Sequence, residues 1–297
     1  MTDASRFAKG EFRIGHVFSQ SLSVLSQNIF KLCAVTGAAV LPLLLVPLAL
    51  PANFGGPLGG PVAIGPSGVN LSQINPYGFF GPLAVLFVVM LLVFNVGEVM
   101  VLYIAVQHMR RKPVDLVEGL RVALGRFFPL IGLVLLIFLA IFGLGLLVAV
   151  VAGALAVVPG LAVLTPVLGF LSIVPYFMLI IMWSVARPAC VVERLGPLRS
   201  LGRSRELTRG HRWKILGLIL LTFVCLLLAL IVVGVIVGVA AALGTAVSFA
   251  PWVVRVVSAA FYAVLLAFFW ILIAVTYRDL RVVNEGIDTD QVATVFE

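Results

Sequence analysis

Four stretches of this 297-residue chain carry no charged side chain: 32–97, 127–186, 215–254 and 256–277. About 20 consecutive apolar residues suffice for a helix to cross a bilayer core of about 30 Å. The second and third runs enclose 187–214, which holds seven Arg and Lys214 against Glu193 and Glu206. Lys and Arg in short loops between spans stay on the cytoplasmic side. The basic stretch therefore belongs at that membrane face. Divided at hairpin length and at Pro/Gly breaks, the runs predict an all-α integral membrane protein of six transmembrane helices, arranged as three hairpins.

Composition agrees. Hydrophobic residues make up 62% of the chain, against about 45–50% in soluble domains. Charged residues are 11%, against about 25%. The net charge of +8 does not indicate nucleic acid, because the cations are dispersed among loops where topology accounts for them. Anionic headgroups add attraction of about 1 kcal/mol per nearby Lys or Arg. Cys33, Cys190 and Cys225 show no pairing or CxxC spacing, so they imply neither a disulfide nor a metal site. No cofactor is implied.

Taken in order, residues 1–31 form an amino-terminal arm. Asp3, Glu11 and the length of the stretch argue against a cleavable signal peptide. Ile14, Phe18, Leu22, Leu25 and Ile29 recur at helical spacing and predict one apolar face of a surface helix. The bundle occupies 32–277. Its first span covers about 32–50, with Pro42 and Pro47 as kinks, and an uncharged Pro/Gly-rich loop follows over 51–81. The second span, about 82–107, contains Glu98, the only acidic residue within a span.

From Pro113 a second surface helix is expected, with Leu116, Val117, Leu120, Leu124 and Phe127 on one face. Asp115 and Glu118 suit its amino end. Spans three and four, about 129–157 and 163–186, are separated by Pro159 and Gly160. Span five runs about 214–243, a turn covers 244–251, and span six runs about 252–277. The tail, 278–297, is soluble.

A count of cations tests this topology. Nineteen of the 20 Lys and Arg fall in the amino arm, 108–128, 187–214 and the tail. Arg255 is the exception, with a stem long enough to snorkel to the opposite headgroups. Both termini are thus expected in the cytoplasm. A three-fold repeat also emerges: a surface stretch ends in an aromatic beside a cation (Phe30 and Lys31; Arg126 with Phe127 and Phe128; Arg212, Trp213 and Lys214), and a hairpin follows. The third stretch lacks a clean apolar face, since Arg scatter around a wheel drawn over 198–209. Small residues four apart, at Gly145, Ala149 and Gly153 and at Gly234, Gly238 and Ala242, allow close helix approach. They suit contacts within one chain, in a homo-oligomer, or with another membrane-complex partner.

Three blocks carry a family resemblance. They are Gly97, Glu98, Tyr103, Arg111 and Pro113; Arg187, Pro188, Glu193, Arg194, the run Arg203 to Gly210 and Trp213; and Tyr277 to Arg281 with Glu285 to Asp288. Together they resemble the membrane domain fused to some glycerophosphoryl diester phosphodiesterases, and the related YciC-type bacterial inner-membrane proteins. The resemblance spans roughly residues 12–288. It departs at Arg205, where that pattern often has an aromatic, and no soluble stretch here holds a barrel enzyme of roughly 250 residues. What it implies is a multi-pass protein of the bacterial inner membrane.

Two groups of candidate site residues follow. An ionisable side chain at membrane depth is a functional candidate. Glu98, with Asn95 one turn earlier, lies 12 residues before Arg110, about 18 Å along a helix. It reads as a proton or cation site, or as a packing carboxyl bonded to Asn95, Tyr103 or Ser184. The second group is a basic collar of Arg199, Arg203, Arg205, Arg209, Arg212 and Trp213, suited to lipid headgroups or a cytosolic partner. Glu206 can pair locally with Arg203 or Arg209. His16, His108 and His211 show no metal or catalytic spacing. The expectation is a non-enzymatic protein that binds or organises membrane lipids, anionic ones in particular, or supports a membrane assembly. The alternative is a transporter or permease component using Glu98. A lipid-modifying enzyme ranks last, because no cluster of His, Asp or Glu converges on one face.

Overall fold

The computed structural model describes residues 12–49, 76–158, 160–243 and 250–285. Residues 1–11, the expected loop up to residue 75, Pro159, the turn over 244–249 and the tail beyond 285 lie outside the described residues, as do the side chains of Pro47, Ala242 and Arg255.

The described residues are all-α. Ten helices follow one another: α1 (Ile14–Gln27), α2 (Ile29–Ala49), α3 (Pro76–Met109), α4 (Leu116–Gly125), α5 (Phe127–Val157), α6 (Thr165–Met182), α7 (Ala186–Val192), α8 (Pro197–Thr208), α9 (Arg212–Leu243) and α10 (Ala250–Glu285). Among the described residues five stretches are long and apolar enough to cross a membrane, and counting α1 with the first part of α2, over 14–42, as one span bent by 90° gives up to six. The six-span expectation is met at that upper count. Their order is a short helix and then a hairpin, three times: α1 before α2 and α3, α4 before α5 and α6, α8 before α9 and α10. The repeat inferred from cation–aromatic pairs is therefore present in the order of elements, including its third unit.

Helix α3 starts at Pro76, ahead of the expected span, but its stretch apolar enough to cross a membrane, Ala84–Met109, lies close to the expected 82–107. One boundary differs: the fourth span does not end at 186. After a turn over 183–185 it resumes as α7, so Arg187 lies on a helix continuing the span.

The core lies where α10 returns to α1, α2 and α3. Leu32, Ile104, Ile271 and Leu280 are fully buried there. Gly97 is a point of close approach: a Cβ at this position would lie 3.1 Å from the Ala39 Cβ and 3.3 Å from the Trp270 ring. Phe94 meets Trp270 edge-on at 6.0 Å, and Phe18 of α1 meets Phe268 at 5.3 Å. By contrast, α5, α6 and α9 direct most large apolar side chains outward, as helices facing lipid tails do. A Cβ on Gly145 would sit 2.9 Å from the Tyr176 hydroxyl, whereas one on Gly153, Gly234 or Gly238 would meet nothing within 4 Å.

The structure shows which side of each surface helix packs inward. In α1 the buried side is Val17, Ser21 and Val24, flanked by half-buried Ile14, Phe18 and Leu25 of the expected stripe, whereas Leu22 is exposed, as is Ile29 at the start of α2. The helix packs against α10 and α9, which select the inner face. In α4, Gly119 and Ala123 turn inward while Val117, Leu120 and Leu124 are exposed. A Cβ on Gly119 would sit 3.0 Å from the Tyr103 ring, so only the small-residue side fits against α3. Val117 and Leu124 face away, as a helix lying in the membrane interface would place them. Helix α4 starts at Leu116, three residues later than the expected start at Pro113, and Asp115, expected near its amino end, caps it by accepting the Val117 amide at 2.9 Å.

Candidate functional site

Helices α1, α4, α7 and α8 gather at one end of the bundle, where α2, α5 and α9 begin and α3 and α10 finish. Both groups of candidate residues lie at this basic end.

Glu98 is 8% exposed and bonded to Arg187 across the α3–α7 contact. Its expected partners are corrected. Asn95 donates to the Leu91 carbonyl, Tyr103 donates to Glu118 at 2.6 Å, and Ser184 donates to the Ile181 carbonyl. Arg187 reaches Glu98 because α7 continues the fourth span. A boundary at 186 would have placed that guanidinium on the surface. Asn95, Glu98 and Arg187 line a cavity of about 10 Å³ with Trp270 and Leu130, and Asn95 Oδ1 has no partner there. That volume holds about one water molecule.

The basic segment is ordered as α7 and α8. Gly196 leads into Pro197 at the first turn of α8, where the missing amide hydrogen goes unused. Gly210, at φ 86°, makes the turn into α9, a backbone conformation costing a residue with a Cβ about 1–2 kcal/mol. One side of α8 is buried: Ser200, Ser204, Leu207 and Thr208. Ser204 donates to the Met182 carbonyl at 2.8 Å. This face is spaced for a helix but built from small polar residues, so a search for apolar periodicity passes over it.

Arg203 separates from the other candidates. It is not a lipid-facing group but the centre of a clamp. Its Nε donates to both Glu193 oxygens, at 3.1 and 2.9 Å, while its other nitrogens meet Glu206 and Glu285. The Tyr277 hydroxyl donates to Glu193 at 2.8 Å, and Arg281 holds Glu285 at 2.9 Å. Burial opposes the charge on Arg203, yet the bonds and charges of Glu193 and Glu206 outweigh it and hold the guanidinium more firmly protonated than an ordinary Arg. The expected local pair between Arg203 and Glu206 is present at 3.4 Å, as the weakest part of this network.

Arg199, Arg205 and Arg209 remain exposed and make no ion pair among the described residues. Arg212 is half-buried, and Trp213 is 85% exposed. Trp213 has two counterparts at the starts of the other hairpins: Phe30, 88% exposed beside Lys31, and Phe128, 82% exposed near Arg126. No group of His, Cys, Asp or Glu that could hold a metal ion occurs among the described residues. Comparison with protein-family models, with curated proteins and with solved structures finds no match.

Proposed function

We propose that this is a non-enzymatic, multi-pass protein of the bacterial inner membrane, akin to the phosphodiesterase-fused membrane domains, that binds anionic lipid headgroups through its cytoplasmic end. The observation that carries the reading is the ring of exposed aromatics, Phe30, Phe128 and Trp213, beside cations at the starts of the three hairpins. Aromatic side chains in such positions settle at headgroup level. That level brings Arg199, Arg205 and Arg209, which have no carboxylate partner among the described residues, to the phosphates.

The test uses the full chain in nanodiscs containing phosphatidylglycerol or only phosphatidylcholine, with bound lipid counted by native mass spectrometry. The wild type should retain phosphatidylglycerol in preference. Replacing Arg199, Arg205 and Arg209 with Gln should abolish that preference at unchanged stability. Retention indifferent to lipid charge defeats the proposal. The permease reading is the weaker one, because Glu98 already has a guanidinium partner and the adjoining cavity has room for about one water.

A further inference from the structure

A second cavity lies on the other side of α3 from the Glu98 pair. It has a volume of about 460 Å³, opens along the α2–α3 seam, and is lined only by apolar residues, among them Ala34, Ala38, Val93, Val96, Leu116 and Leu120. The last two belong to α4, which bounds the end of the slot at the basic face of the bundle.

We infer that this slot holds one acyl chain of a bilayer glycerophospholipid whose phosphate sits on Lys31. Two observations support this occupant. The volume falls within the range of small-molecule sites, about 300–1,000 Å³. The charge at its mouth is the second.

Lys31 lies one turn before Ala34 and Val35 and donates to the Val114 carbonyl at 3.2 Å, just before α4 begins. An ammonium has three donors, so two face outward. The connection leading to α4 adds exposed Arg111 and Lys112. Asp115 and Glu118 keep their charge while bonded to the Val117 amide and the Tyr103 hydroxyl, and the three cations outnumber them. Neighbouring Phe30, exposed beside Lys31, marks headgroup depth. The slot thus starts at the phosphate level and runs inward along two spans, as an acyl chain does.

Burial of the chain gains nothing hydrophobic over bulk lipid, so selection of one molecule comes from the phosphate contact and from shape. The slot shares no residue with the exposed arginines of α8, and either site can fail alone.

A phospholipid with a photoactivatable diazirine in its acyl chain, incorporated with the full-length protein in nanodiscs, tests the inference. Cross-links should concentrate on 92–100 and around Leu116 and Leu120, above the level at plain lipid-facing positions such as Leu146 and Val150. Lys31→Ala should lower slot labelling roughly fivefold, the effect of one cation beside a headgroup, and Lys31→Arg should preserve it. Ala34 and Ala38 are exposed, so Ala38→Phe fills the slot without disturbing the core, and should reduce its labelling to the background on α5. Labelling spread evenly over all outward faces would overturn the inference. So would slot labelling that survives Ala38→Phe, or protein–protein cross-links there showing a second copy.

Discussion

Glu98 and Arg187 illustrate how a charge is kept at membrane depth. A carboxylate that is 8% exposed is costly to bury alone, and the guanidinium 89 positions later in the chain supplies its counter-charge. Removing one member should cost more than removing both. Arg187→Gln strands the carboxylate and should destabilise by about 1–3 kcal/mol, less than the 3–5 kcal/mol of a fully buried pair. The discount reflects the Arg187 side chain being 39% exposed. Adding Glu98→Gln should recover part of that loss. Thermal unfolding in detergent reads both effects, and a double variant no better than the single one would mean that the pair is not coupled. Glu98→Gln alone should change stability without creating or abolishing any pH-dependent uptake in proteoliposomes.

At the scale of elements, α8 is docked by two different devices. Its buried side is small and polar, and its Arg203 is clamped by carboxylates from the α7–α8 turn and from the end of α10. Ser204→Leu would overpack the contact with Met182 and should cost about 1–3 kcal/mol. Arg205→Gln, on the outer side, should fall within about 0.5 kcal/mol of the wild type. Arg203→Lys should loosen α8, because one ammonium cannot reproduce a planar fork shared among Glu193, Glu206 and Glu285. Hydrogen exchange over 197–208 should rise in Ser204→Leu and in Arg203→Lys and stay unchanged in Arg205→Gln. Equal protection in all three would contradict the clamp. The sequence contained this face as Ser200, Ser204, Leu207 and Thr208, in helical register. It was hidden because apolar periodicity counts hydroxyls as outward-facing, and a helix that packs through small residues violates that assumption.

For the whole molecule, the proposed orientation has one simple consequence. In a variant with Cys33, Cys190 and Cys225 replaced, a cysteine introduced at Arg205 should react with an impermeant thiol reagent only after the membrane is opened. A cysteine placed within 51–75 should react in intact cells. The reverse pattern would invert the proposed topology and contradict a cytoplasmic place for the basic end. Anionic-lipid retention should also weaken as salt rises from 0.05 to 0.5 M, roughly as the screening length shortens from over 10 Å to a few Å.

Hydropathy and charge belong to single residues and sum along the chain. From them the all-α class, the approximate spans, the place of Asp115 near the amino end of α4 and the three hairpins were legible without coordinates. Pairing is a property of two residues, and here the partners are far apart: Glu98 with Arg187, Arg203 with Glu285, Ser204 with the Met182 carbonyl. Only the packing of α7 and α8 against α3, α6 and α10 separated the arginine that holds the fold from those that face outward. Along the chain they look alike, because a guanidinium carries the same charge whether or not a carboxylate waits for it.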